Sequence, residues 1–482
     1  MDELTKAAVT AAMSAGASYA DARFVDTFSE SVRVKNGAAS AMTSSRSRGV
    51  GVRVIADGAW GFAATASLEG SEIASTARQA VELARAAATT LKDPVRLADL
   101  EPAVAEVRAQ VARDPRDVPL EDRLELLMQC DAQMRKSPVA IAEGHIRLLH
   151  QEQHFASSEG ASIYQERIET GGGIEATAVS DDDAQTRSHP GSHGGQMMSR
   201  GWEVIEEIEL PGNAARVGDE AVALLSAPQC PSGQMDLILT GGQLALQLHE
   251  SCGHPIELDR VLGTEASYAG MSFLTVDKLG SFRYGSEKVN VTADATLPGG
   301  LGSFAYDDEG VPAQCVEIVK NGLFVGYLTS RETAAQIGLT ASGGAMRADG
   351  WGSLPLIRMT NVNLLPGEQS LEEIIASTER GIMMGENTSW SIDDKRLNFQ
   401  FGCELGQLIE DGRIVGIVRN PTYTGITPQF WGSCDAVADT TTWKVWGVPN
   451  CGKGEPGQCA RVGHGVSAAR FRNVTVGVLG NE

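Results

Sequence analysis

His249 and His254 stand five positions apart with Glu250 between them, in the stretch Leu248-His249-Glu250-Ser251-Cys252-Gly253-His254-Pro255. That HExxxH spacing restricts the local backbone more than any other feature of the chain. On a regular α-helix, positions i and i+5 point about 140° apart, so the two imidazoles cannot share one ion there. A single π-type turn, with its i to i+5 register, brings them onto one face. Alternatively, Gly253 ends the helix as a C′ residue and Pro255 pushes His254 out of the α region, so that it swings back from the exit. The residue set is the one a zinc peptidase needs. Two imidazoles leave tetrahedral zinc room for one more protein ligand and a water, and Glu250 is placed to take that water's proton as general base. Spacing leaves the further ligand open among Cys252, Glu257, Asp259, Glu265 and the distant thiols. The plainer alternative is a helix end with polar caps, in which His254 is a satisfied loop histidine.

At 482 residues the chain exceeds the roughly 250 to 300 residues at which single cores stop growing, so two domains are expected. Apolar residues make up 42%, yet no apolar run approaches the roughly 20 residues that span a bilayer, and no membrane association is expected. The start, Met1-Asp2-Glu3-Leu4-Thr5-Lys6, has neither the basic segment nor the apolar core of a secretory signal, so the expected compartment is the cytoplasm. A net charge of -22 repels phosphate backbones and argues against a nucleic-acid partner. The eight cysteines lie at long intervals, unlike a disulfide framework, and most are expected to be reduced and buried. Cys451 and Cys459 differ in lying in a glycine-rich loop.

Residues 2–16 carry Leu4, Ala7, Ala8, Ala11 and Ala12 at helical spacing. Strand-like runs follow at 19–34 and 50–66, the second with an Ala56-Asp57-Gly58 hairpin signal. Long helices are predicted over 67–90 and 120–136. From 139 to 179 the alternation reads as an antiparallel meander, broken at 157–160 and at Gly171-Gly172-Gly173. Residues 180–201 hold little that could form a core and read as a mobile loop whose His189 and His193 are solvated. A helix over 202–225 leads to the expected domain junction at 227–233. Beyond it come a strand at 235–239, the helix bearing His249 and Glu250, and short strands punctuated by Gly, Asp and Pro, with one more helix near 371–380. The expected fold is α+β. An N-terminal domain of sheet plus long helices spans 1–226, and a β-rich C-terminal domain with a strongly curved antiparallel sheet and the HExxxH helix spans 227–482.

Further stretches accompany the HExxxH. The N-terminal half has Tyr19-Ala20-Asp21-Ala22-Arg23-Phe24, Gly49-Val50-Gly51-Val52-Arg53 and Gly58-Ala59-Trp60-Gly61-Phe62-Ala63. The C-terminal half has Asp307-Asp308-Glu309-Gly310-Val311-Pro312, Arg358-Met359-Thr360-Asn361 and Asn450-Cys451-Gly452-Lys453-Gly454-Glu455. In this combination the chain resembles the TldD/TldE family, also called modulator of DNA gyrase, on its TldD-like catalytic side, over nearly its whole length. The resemblance implies a zinc metallopeptidase in which His249, His254 and Cys451 hold Zn2+ and Glu250 is the general base, with Cys459 as the reserve ligand. A thiolate suits zinc, which binds sulfur well and deprotonates it. Pro255 departs from the family pattern, where a glycine-like residue follows the second histidine, and the departure touches the local helix geometry rather than the ligand set. The resemblance further implies a TldE-like homologous subunit as partner, in a heterodimer with a homodimer as the other arrangement, around a cavity that admits small or unfolded polypeptides. Extended binding to a sheet edge fits a β-rich domain.

A second class of function fits the same residues: a non-catalytic binding or assembly subunit with a structural zinc site, closed by four protein ligands that include both Cys451 and Cys459. Asp307, Asp308 and Glu309 read as an acidic turn or as a second metal cluster. Arg358 reads as a substrate or partner contact or as part of a fold ion pair, and Trp351 and Trp431 as groove walls or as core. None of these is assigned to catalysis.

Overall fold

A computed structural model of the chain describes residues 1–477 except 193, 269, 455 and 456; His193 and Glu455, named above, lie outside the described residues. The fold is α+β. Four long strands, Ala38–Ala56, Tyr19–Lys35, Ile141–Ser157 and Ser162–Val179, run antiparallel in that order within an eight-stranded N-terminal sheet. Their two-residue period sorts side chains onto two faces. Ala20, Phe24, Val34, Val52, Ile146 and Ile174 point to helices. Asp2–Ser14 and Gly70–Ala88 cover one end of that face, Leu120–Met134 and Leu210–Ser226 the other. The opposite, polar face carries Arg23, Arg53, Gln153, Gln165 and Glu169, all of which bond to the C-terminal half.

Several expected elements differ in extent. The strand Ala38–Ala56 begins well before residue 50, paired to residues 26–35, and residues 38–48 are exposed and so carry no apolar alternation to announce it. The three glycines at 171–173 break nothing. The strand Ser162–Val179 runs through them, and a Cβ at Gly171 would lie 2.2 Å from the Gln196 carbonyl oxygen, one at Gly173 2.8 Å from the Gly195 Cα. Their missing side chains let the following chain lie flat on this strand. The expected mobile loop over 180–201 therefore carries two short strands, Ala184–His189 and Gln196–Met198, both paired to it. The predicted helix over 202–225 is two helices, Glu203–Glu207 and Leu210–Ser226, parted near Glu209, whose φ is 47°.

The C-terminal half holds two principal sheets, each antiparallel apart from one parallel pair. One has six strands and ends in Gln458–Val466 and Lys444–Lys453; the other has nine strands, with Gly233–Leu239 inside it and Asn387–Ile392 at an edge. The helix Gly241–Leu248 is embedded where they meet: Leu244 and Leu248 share one apolar cluster with Leu239 and Phe471 of the larger sheet and Val362 and Val462 of the smaller. Among the described residues no helix is long and apolar enough to cross a membrane. No cysteine is in a disulfide; Cys315 and Cys459 are exposed and the other six buried.

Asp307, Asp308 and Glu309 form the expected acidic turn, closed by the Gly310 N–H donating to the Asp307 carbonyl at 3.0 Å, and all three are buried and committed to the fold rather than gathered around a metal. Asp307 accepts the backbone N–H groups of Glu309, Val311 and Met346. Asp308 pairs with Arg23 at 3.1 Å and accepts the Ala348 N–H at 2.7 Å. Glu309 pairs at 3.2 Å with Arg53, which pairs again with Asp21 at 2.7 Å, all three side chains being at most 4% exposed. Gly49 and Gly51 serve the same contact. A Cβ there would lie 2.4 Å from the Trp351 ring and 2.3 Å from its carbonyl oxygen, so Trp351 lies flat against this strand.

Removing one member of a buried ion pair strands its partner without solvent, at a cost of about 3 to 5 kcal/mol. Arg53→Met is expected to lower unfolding free energy by that amount in chemical denaturation. Arg46→Ala, at a pair with Asp26 whose arginine is 61% exposed, is expected to leave the denaturation midpoint unmoved.

Candidate metal centre

The helix Gly241–Leu248 passes directly into a π-turn, His249–Gly253, closed by the His254 N–H donating to the His249 carbonyl at 3.1 Å. This register puts the two imidazoles on one face, with ring centroids 4.8 Å apart and planes at 88°. Gly253 is required by packing, since a Cβ would lie 2.3 Å from the Met359 sulfur. Pro255 does not expel His254 from the α region: φ is -67° and ψ is -42°. The π-turn hydrogen bond and the buried surroundings outweigh the usual pre-proline preference.

Hydrogen bonds fix which nitrogen of each ring is free. His464 Nδ1 donates to the Val362 carbonyl at 3.1 Å, so its Nε2 accepts from His249 Nδ1 at 2.8 Å. His254 Nδ1 donates to Glu257 Oε2 at 3.1 Å. Both ligand candidates therefore present an Nε2 lone pair. Burial pushes both imidazoles below their ordinary value, toward the neutral form that binds metal. Cys451, on the strand Lys444–Lys453, places its Sγ 3.8 Å from His254 Nε2. Burial raises that thiol, but the adjacent His254 outweighs it and leaves the thiol below its usual value. One ligand atom from each of His249, His254 and Cys451 lies within 4.8 Å of the others. Two ligands of one tetrahedral zinc stand about 3.3 to 3.8 Å apart; the Cys451–His254 separation of 3.8 Å matches this, the widest of the three exceeds it by about 1 Å, and the nitrogen, nitrogen and sulfur donor set suits zinc in its chemistry.

The other candidates brace this cluster. Burial works against ionised Glu257, yet Lys453 and His254 hold its carboxyl well below the usual range. Lys453 Nζ reaches Asp259 at 2.7 Å and the Ile357 carbonyl at 2.7 Å, and Glu265 accepts the Gly454 N–H at 3.1 Å. Arg358 pairs with no carboxylate among the described residues; it donates to the Cys451 and Gln458 carbonyls. Cys252 is fully buried with its thiol pushed up to about 12 by burial, beside Tyr284. Cys459 pairs in register with Gly452 and so faces away from Cys451. His189 is not solvated: its Nε2 donates to the Ile208 carbonyl at 2.8 Å.

A cavity of about 360 Å3 opens onto the cluster, lined by Glu250, Arg396, Trp390 and Trp446 along with the three ligand candidates. Trp431, by contrast, is core: fully buried, it donates to Ser251 Oγ at 2.9 Å. Arg396 Nη1 donates to Glu250 Oε2 at 2.6 Å. Neither Arg396 nor His464 is picked out by sequence reasoning. Each is an isolated residue brought in by a distant strand or turn, and only the glycines flanking His464 hint at a crowded site.

Comparisons with known proteins agree with this architecture. Residues 232–478 match the family described as PmbA/TldA metallopeptidase C-terminal domain, 20–84 its domain 1 and 113–227 its central domain. A metalloprotease of Methanothermobacter thermautotrophicus is 31% identical over 95% of both chains. The structure of a putative modulator of DNA gyrase from Thermotoga maritima superposes with a TM-score of 0.77 at 19% identity, covering 98% of this chain and 99% of that one. TldE from Thermococcus kodakarensis gives 0.76 at 17% identity, covering 98% and 100%. The chain belongs to the TldD/TldE family of PmbA/TldD metallopeptidases.

Proposed function

We propose that this protein is a zinc-dependent peptidase that hydrolyses small or unfolded polypeptides, with His249, His254 and Cys451 as metal ligands and Glu250 as general base. The observation that carries this reading is the convergence of two imidazoles and a thiol in a cavity whose wall includes Glu250. Zinc held there supplies a Lewis acid that polarises a peptide carbonyl and lowers the pKa of water. Glu250 takes the proton from the attacking water and passes it to the departing amine. Arg396 fixes the Glu250 side chain beside the ligands. An extended substrate adds to the edge strand Asn387–Ile392, whose Trp390 lines the cavity, through backbone bonds that demand little sequence preference.

The same reading makes the partner a TldE-like homologous subunit in a heterodimer, the compartment the cytoplasm, and the chain a pair of domains meeting at residues 226 and 227. The likeness in fold to TldE supports the partner, and sheets that share no strand across the junction support the division. A structural zinc site is the weaker reading. It needs a fourth protein ligand, and among the described residues the cluster has three.

Glu250→Gln is expected to keep zinc bound at about one ion per chain and to cut hydrolysis of an unstructured peptide about 100-fold or more. Hydrolysis that survives this change in pure protein, or that persists after a chelator has stripped the metal, sinks the assignment. His464→Ala frees the tautomer of His249, and competition against a chelator is expected to register zinc binding about 10 to 100 times weaker. Cys451→Ser is expected to weaken it further.

A further inference from the structure

A second cavity, of about 550 Å3, lies between the polar face of the N-terminal sheet and the C-terminal half. The hairpin of Lys444–Lys453 and Gln458–Val466 separates it from the metal centre: Cys451 faces the metal cavity, while Cys459 and Arg461 face this one. Arg167, Arg347 and Arg461 all line its wall. Their countercharge is thin. Glu169, fully buried, lies 2.8 Å from Arg461 and 3.6 Å from Arg167. Arg347 is buried, donates to the Met359 carbonyl at 3.1 Å, lies over the Phe304 ring and forms no ion pair among the described residues. Asp308 is taken by Arg23, and burial together with Glu309 holds the Asp307 carboxyl well above the usual range. Burial, with Arg167 and Arg461 nearby, pushes the Arg347 guanidinium well below its ordinary value.

The wall also includes Glu166, which bonds to His150, so that of the nearby carboxylates Glu169 is the one paired directly with these three guanidinium groups, in a chain whose net charge is -22. Buried cations without countercharge are costly, and an anion entering the cavity removes that cost. We propose that this cavity binds a small-molecule oxyanion, a phosphate or carboxylate compound, through Arg347, Arg461 and Arg167. The guanidinium fork matches both groups in bidentate geometry. The volume accommodates a ligand body larger than the anion itself.

Calorimetric titration of the full chain tests this, with the uncharged chelator 1,10-phenanthroline present so that the metal centre takes up no anion and the chelator itself offers no carboxylate. Saturable binding of inorganic phosphate or of citrate is expected; phosphate alone assigns a phosphate ligand, citrate alone a carboxylate ligand, and both the shared oxyanion chemistry. Arg347→Gln is expected to weaken binding about tenfold or more. Glu169→Gln, which removes the competing internal carboxylate, is expected to tighten it, a direction that a merely structural role for these arginines does not produce. Should Arg347→Gln fail to fold, Arg167→Gln, at a side chain 21% exposed, carries the same comparison. Absence of saturable binding of either anion to the unmodified chain, or unchanged affinity in a folded arginine variant, overturns the proposal.

Discussion

Arg53, buried between Asp21 on its own sheet and Glu309 from the other half of the chain, is the contact on which the arrangement of this molecule turns. A charge so placed is tolerated only when both carboxylates are there, so the two halves are fixed in one relative position. The consequence runs on through bonded neighbours. Asp307 and Asp308 accept the N–H groups of Met346 and Ala348, and Met346–Arg347 pairs with Leu356–Ile357. The next residue, Arg358, donates to the carbonyl of Cys451. A continuous set of polar contacts therefore links the N-terminal sheet to the backbone of Cys451. The stretches around Asp21, Arg53, Asp307 and Cys451 are thus joined in space through successive contacts.

Around the cluster itself, each ligand-bearing segment is tied to the other by charge. Glu257 lies just beyond His254 and Lys453 just beyond Cys451, and the two side chains approach to 3.5 Å with essentially no solvent exposure. Asp259 closes the same knot on Lys453 at 2.7 Å. Helix end and hairpin are thus held in register by the protein alone, which is what preorganises a site whose ligands come from distant parts of the chain.

What could be read from the sequence follows from how local each feature is. Helices with an apolar stripe, and strands with one buried face, announce themselves through their period. The exposed strand segment before residue 50 and the glycine run at 171–173 did not, because exposure erases alternation and because glycine marks close approach as well as interruption. At the site, His249, Glu250 and His254 are adjacent and legible. Cys451 was reachable only through family resemblance, as no spacing rule joins residues two hundred positions apart. His464 and Arg396 were invisible, since their roles exist only once strands from elsewhere have packed against the π-turn. The acidic triplet was legible as a turn but not as a buried one, since the arginines that pair with it come from the other half of the chain.

The π-turn gives the HExxxH spacing a meaning that composition alone lacks. Its widened loop turns the Ser251 carbonyl to the Tyr284 hydroxyl at 3.0 Å and the Ser251 hydroxyl to Trp431, so the extra residue is anchored from below by two aromatic side chains. Deleting one residue between the histidines restores a regular helical interval between them, yet rotates everything downstream by about 100°. Glu257, carried along with His254, would then leave Lys453. The motif length and the brace beyond it are therefore coupled, since a change in one misplaces the other.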